Sequence, residues 1–300
     1  MTTYVEGPVE VSVPATSANL GPGYDALGLA LDLRDRLVGE VTDGGTVVEV
    51  TGEGAAELPL DETHLVVHAM RVAFDEMGER PPGIRLRCDN VVPHARGLGS
   101  SSAAIVGGIA LARALVAGGT LLVDDDAAFR LAARLEGHPD NVAPAWYGGF
   151  VVSGRDDDGE FWAVPSSVDP RVSAVVFVPP TRVATQQARR LLPAWVPHAD
   201  AAANAGRAAL LVAALAGRPE HLHLATRDLL HQDYRRPAMP ASLDLVESLR
   251  ERGAAAVVSG AGPTVLALCA GCDVEALLAA TPAGWQAHHL ELDRAGVVVG

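Results

Sequence analysis

Residues 93–104 read PHARGLGSSSAA, and their types and order suit phosphate. Gly97 and Gly99 let the backbone turn with positive φ and approach a ligand closely. Ser100, Ser101 and Ser102 then open an Ala-rich helix whose first N–H groups have no intrahelical partner. An anion at that end gains charge-assisted N–H bonds plus the helix dipole, the latter worth about 0.3–2 kcal/mol. A serine hydroxyl there can also reach a magnesium ion. The plain alternative is an N-cap after a glycine turn. A dinucleotide fingerprint is rejected, because Ser102 stands where a third glycine or alanine is needed and no strand immediately precedes Gly97.

Two more glycine loops accompany this one. In residues 14–31, PATSANLGPGYDALGLAL, Asn19 and Asp25 flank the turn Gly21-Pro22-Gly23, which holds two polar side chains at a fixed separation or simply forms an Asx-stabilised turn. SGAGPT at 259–264 follows the strand-like AAAVV and brings Gly260 and Gly262 within reach of a ligand.

The elements that must position these loops are mixed. Strand-like runs at 9–13 and 47–51 bracket a glycine-rich first segment. Apolar spacing predicts helices over 63–77 and from Ser100 to about Ala117, with an alternating strand at Ile84, Leu86 and Cys88 between them. Asp124–Asp126 read as N-cap residues of a helix ending near Glu136. A hairpin at 149–153 and 161–164, a buried strand at 172–178 and helices at 184–192, 201–216 and 243–252 follow. The C-terminal stretch gives strands around a short helix at 273–280. The expected class is α+β in two halves, 1–168 and 169–300, divided near 165–171.

Composition narrows the chemistry. Every one of the 23 cationic side chains is arginine, against 37 acidic ones, for a net charge of −14. The absence of lysine excludes Schiff-base and pyridoxal-phosphate enzymes, Walker A loops and protein-kinase ATP lysines. An acidic surface argues against nucleic acid and anionic lipid as partners. No run approaches the ~18 consecutive apolar residues of a membrane span, and the N-terminus lacks signal-peptide character, so a cytoplasmic protein is expected. Cys269 and Cys272 form a lone CxxC after a strand-like run, from which no redox or metal role is expected, and Cys88 reads as core.

Taken together, the three glycine motifs resemble in order and wording those of the GHMP small-molecule kinases, over most of the chain. The opening PATSANLGPGYD, with LEGHPDNVAPAWYGGF at 135–150 and LLHQDYRRPAMP at 229–240, is closest to the homoserine kinase branch. The departures are mild: Tyr24 stands where phenylalanine is usual and Thr16 where serine is common. The resemblance implies an N-terminal ribosomal-protein-S5-like domain and a C-terminal ferredoxin-like domain. It also implies ATP and Mg2+ as cofactors, L-homoserine as the small-molecule substrate, and a homodimer. The alternatives are a GHMP kinase for another small hydroxy substrate, or a non-catalytic ligand-binding member.

Residue roles follow by similarity. Pro93, Arg96, Gly97, Leu98, Gly99, Ser100, Ser101, Ser102 and Ala103 would form the ATP phosphate loop. Ser101 (or a neighbouring serine) and Glu136 would hold the metal; Glu136 sits at a helix end where the dipole disfavours an acid, unless it serves a ligand. Thr185, Arg189 and Arg235 would hold the substrate carboxylate, with Arg190 and Arg236 as surface neighbours that could exchange places with them. Asn19 and Asp25 would take the ammonium, and Gly260 and Gly262 would lie alongside. His138, Asp140 and Asn141 would line the hydroxyl side, His138 alternatively being a capping or core histidine. Mevalonate kinase uses an aspartate base where this chain has Asn141, so the hydroxyl proton would go to Asp140 or directly to the γ-phosphate; direct transfer is the expectation.

Overall fold

The computed structural model describes residues 4–300. The first half contains β1 (Val9–Ala18), β2 (Leu27–Thr42), β3 (Gly45–Gly52), α1 (Leu65–Glu76), β4 (Gly83–Asn90), α2 (Ser100–Leu115), α3 (Gly119–Leu122), α4 (Asp125–Glu136), α5 (Val142–Tyr147), β5 (Phe150–Arg155) and β6 (Phe161–Ser166). The second half contains β7 (Val172–Val178), α6 (Thr185–Arg190), α7 (His198–Gly217), α8 (Leu222–Ala225), α9 (Pro240–Glu251), β8 (Ala255–Val258), β9 (Val265–Ala270), α10 (Val274–Leu278), β10 (Gln286–Leu290) and β11 (Val298–Val299). One sheet runs β11-β1-β2-β4-β3, with β5 and β6 extending from β2; the other runs β10-β7-β9-β8. The fold is α+β.

Three cores divide the packing. α1, α2, α4 and α5 cover one side of the first sheet, with Met70, Phe74, Ile109 and Leu111 inside. Leu29 and Leu31 of β2 share a second core with Val172, Val176 and Val178 of β7 and with Leu211 and Leu215 of α7. Phe177, Leu243 and Val258 belong to the third, under α9. β4 alternates buried Ile84, Leu86 and Cys88 with outward residues, as a half-buried strand should. Asp124 caps α4 by accepting from Ala127 N at 2.8 Å.

Several elements differ from the sequence expectation. β2 occupies what reads as a glycine-rich segment: its first five residues are buried on both faces, and the residues that follow include Asp32, Arg34, Asp35 and Arg36, so no clean alternation advertises it. The last strand leaves the second half altogether: β11 pairs with β1, and Arg34 of β2 ties the tail by bonding Gly296 O at 2.7 Å and the Asp293 carboxylate. α7 is long and apolar enough to cross a membrane by length and composition, yet it carries His198, Asp200 and Arg207 and packs Leu211 and Leu215 into the second core. Cys269 and Cys272 are joined in a disulfide, a pairing that the lone CxxC was not expected to make, across the turn after β9. Burial pushes the Cys88 thiol up to about 12, which keeps it inert.

One buried charge fixes the approach of the chain to α2. Asp35 of β2 accepts from Val91 N at 2.7 Å and Val92 N at 2.9 Å. Burial outweighs those bonds and raises its carboxyl from 3.8 to about 6. A raised carboxyl favours the folded state fully below the unfolded value, and that contribution disappears as pH rises from about 4 through about 6. Asp35→Asn keeps an oxygen for both N–H groups and removes the buried charge. Its stability relative to wild type is expected to improve by about 2 kcal/mol between pH 4 and pH 8. Chemical denaturation across that range checks it; a pH-independent difference contradicts the assignment.

Candidate active site

The three glycine motifs meet. Thr16 N donates to Leu98 O at 3.1 Å, Gly260 N to Ala18 O at 3.0 Å, and Ser259 Oγ to Gly97 O at 2.6 Å while accepting from Ser17 Oγ at 2.8 Å. The loop before α2 is thereby threaded between β1 and residues 259–264. Gly97 (φ 76°) and Gly99 (φ 70°) are required there: a Cβ on Gly97 would lie 2.2 Å from Ser259 O, and one on Gly99 1.9 Å from Thr16 Oγ1. Gly99 caps α2 in the left-handed conformation with no side-chain acceptor for the first N–H groups. The serines are therefore not spent as N-caps, and the helix end faces a polar cleft of about 70 Å³ lined by Gly97, Gly99, Ser100 and Ser101.

Across the cleft, α4 ends at Glu136, whose Oε1 accepts from Ser101 Oγ at 2.7 Å. His138 Nδ1–H donates to Asp140 Oδ1 at 2.9 Å, and its Nε2 is 4.0 Å from Glu136. Burial alone would lower the His138 pKa, but the hydrogen bond and charge of Asp140, with the charge of Glu136, raise it. Asn141 Oδ1 accepts from Thr16 Oγ1 at 2.9 Å, which leaves the amide NH2 for the cleft. Glu136, His138, Asp140 and Asn141 all line the cleft. Ser101 and Glu136 supply adjacent hard oxygens of the kind magnesium takes alongside phosphate and water. Among the described residues no cluster of three or more His, Cys, Asp or Glu could hold a metal without such help.

The remaining wall carries arginine. Arg235 is 1% exposed, donates through Nη1 to Gly260 O at 3.0 Å and to His231 Nδ1 at 3.2 Å, and keeps a buried Nε without a partner. Burial pulls its pKa down. Its neighbour Arg236 points outward to Asp244 and Glu247, and Arg190 is exposed, so Arg189 and Arg235 are the members of the two pairs that line the cleft. Both inward guanidiniums lie over the Tyr24 ring, at 5.5 Å for Arg189 and 5.6 Å for Arg235. Thr185, Asn19 and Gly260 also line the cleft.

Other anticipated residues stand back from it. Asp25 grips Arg189 instead of lining the cleft; Asn19, although it is in the lining, is tied down by donating from Nδ2 to Gly260 O at 2.8 Å and accepting from Asp25 N at 2.9 Å. Arg96 directs three nitrogens to the carbonyls of Pro179, His94 and Pro180, tethering the loop. Leu98 and Ser102 are buried, Pro93 is outside the cleft, and Gly262 supports the turn by donating to Ser259 O at 2.9 Å. Ala103 faces a different space: an apolar cavity of about 190 Å³ that shares Ser100 and Ser101 with the cleft and is walled by Leu37, Leu58, Leu65 and Val66. At its edge His64 accepts from Val66 N at 3.3 Å through Nδ1, so its proton is on Nε2, which is buried without a partner. Sequence reasoning missed this cavity because its walls come from β2, α1, α2, the end of β4 and the loops beside them; the single signal was a histidine at the helix start.

Comparison with known proteins identifies the family. Residues 64–149 match the family model described as GHMP kinases N terminal domain, and residues 207–280 that described as GHMP kinases C terminal. The homoserine kinase of Streptomyces coelicolor is 54% identical over 97% of this chain and 94% of its own. The crystal structure of homoserine kinase from Cytophaga hutchinsonii superposes with a TM-score of 0.84 at 26% identity, over 99% of this chain and 100% of that one. A putative homoserine kinase from Listeria monocytogenes gives 0.77 at 32% identity, over 97% and 99%. The chain belongs to the GHMP kinase family, with its two-domain α+β fold, and is similar to the homoserine kinases across nearly its whole length.

Proposed function

We propose that this chain transfers the γ-phosphoryl group of ATP to the side-chain hydroxyl of L-homoserine, forming O-phospho-L-homoserine for threonine biosynthesis. The observation that carries the reading is one cleft holding a helix N-terminus free of side-chain caps, the Ser101–Glu136 oxygen pair and two inward arginines. The 54% identical relative named homoserine kinase supports the substrate. Phosphoryl transfer asks for positioning and charge stabilisation more than covalent chemistry. The first N–H groups of α2 bind the ATP phosphates, and the adjoining apolar cavity receives the nucleoside, with His64 Nε2–H as an unspent donor. Ser101 and Glu136 would hold Mg2+, which would supply positive charge to offset that of the ATP phosphates.

Arg189 and Arg235 take the substrate carboxylate, since each retains free N–H groups facing the cleft. Asn141 donates its amide N–H to the reacting oxygens and accepts no proton. We take the hydroxyl proton to pass directly to a γ-phosphate oxygen, with Asp140 accepting from His138 and positioning it.

A coupled ADP-release assay with Mg-ATP and homoserine, mevalonate or shikimate in turn tests the reaction. Homoserine-dependent ADP is expected; its absence sinks the reading, and faster turnover of another hydroxy compound reassigns the substrate. Glu136→Gln should lower kcat by about 100-fold and raise the Mg2+ concentration required for half-maximal rate. Asp140→Asn should retain turnover within about tenfold, as expected of a group that positions without accepting the proton. Abolished turnover with both substrate affinities intact would instead make Asp140 the base.

A further inference from the structure

We infer that the cavity walled by α7, α9 and the turn after α8 is a second binding site, taking a small organic anion with a carboxylate or phosphate head on a short apolar body. It encloses about 420 Å³, inside the ~300–1,000 Å³ span of small-molecule sites, and shares no residue with the cleft. Arg207 of α7, Arg227 just past α8, Arg250 of α9 and the amide of Gln232 supply donors. Leu229, Leu243 and Val246 supply an apolar wall.

Gln232 gives the cavity a built donor. The residue is 7% exposed, and its Oε1 accepts from Val258 N at 2.5 Å, which sets the amide's orientation and leaves the Nε2 donors for the cavity. Arg207 and Arg227 have no hydrogen-bond or ion-pair partner among the described residues. Arg250 is fixed in place: Nη1 donates to Thr226 Oγ1 at 2.9 Å and Ala256 O at 3.0 Å, and Nη2 donates to His223 O. Those acceptors are uncharged, so they do not neutralise its cation. Burial first, and then the charges of Arg227 and Arg207, pull Arg250 down to about 10, so the three guanidiniums sense one another. Of the acids in the lining, Asp228 accepts from Leu230 N at 2.9 Å, His231 N at 3.0 Å and Gln232 N at 2.7 Å, and Glu247 pairs with Arg236. Asp233 and Glu251 are exposed and form no ion pair with the three arginines. An oxyanion between the guanidiniums and the Gln232 amide would relieve the repulsion through charge-assisted hydrogen bonds, while its chain lies on Leu229, Leu243 and Val246.

Side-chain amide NMR of glutamine-labelled protein tests the site, with Gln232→Glu identifying the Gln232 signal by its loss. Butyrate and butyl phosphate are titrated in turn, with butanol as the uncharged control. One or both anions should shift the Gln232 amide saturably where butanol does not, and the tighter of the two identifies the head group. Arg207→Ala combined with Arg227→Ala removes both unpartnered cations and should raise that Kd by about tenfold. Arg227→Ala alone, at an exposed position, should raise it by about threefold, and this variant carries the test if the double variant does not melt like wild type. Arg189→Ala, in the cleft, should leave it unchanged. No saturable shift with either anion, an equal response to butanol, or a Kd that follows Arg189 and ignores Arg207 and Arg227 overturns the second site.

Discussion

The start of α2 is wedged between two other loops, and the rest of the site hangs on that wedge. Gly97 touches the carbonyl of Ser259, Gly99 touches the hydroxyl of Thr16, and neither position has room for a Cβ. Thr16, so placed, turns the Asn141 amide toward the cleft, while Ser259 ties Gly97 to Ser17 on β1. A helix end is a general anion site, but here its direction is set by contacts from chain segments more than 150 residues apart, Ser259 and Gly97 being separated by 162. The site exists because both halves fold against one short loop.

A chain without lysine must solve phosphate and carboxylate binding separately. In the proposed function, backbone N–H groups and a hydroxyl would serve the phosphate side, where close approach matters more than a long flexible cation. Guanidinium would serve the carboxylate side, and both inward arginines lie over the Tyr24 ring. Tyr24 is also more than a spacer, since its hydroxyl accepts from Arg189. The net charge of −14 surrounds this local positive wall and acts on partners outside the cleft.

Much of the site was legible because its chemistry is local in sequence. Gly97 to Ser101 announce a phosphate loop, and Glu136, His138, Asp140 and Asn141 fall within six positions on the exit from one helix. What stayed hidden depends on long-range pairing. Nothing near Asp25 says that Arg189 will hold it, and Arg96 resembles a phosphate ligand until its nitrogens are found on three carbonyls. β2 escaped because burial on both faces followed by a charged half carries no period of two. The apolar cavity beside the cleft escaped because no single segment builds it.

The central claim is that backbone at the start of α2 holds the transferred phosphate. Steady-state kinetics of Gly99→Ala against ATP, with homoserine saturating, tests it most directly. The added methyl would occupy the position of Thr16 Oγ1 and displace the N–H groups that face the cleft. The account predicts a loss in kcat/KM for ATP of about 100-fold while calorimetry shows homoserine binding retained. Wild-type kcat/KM for ATP in a folded Gly99→Ala protein would contradict it.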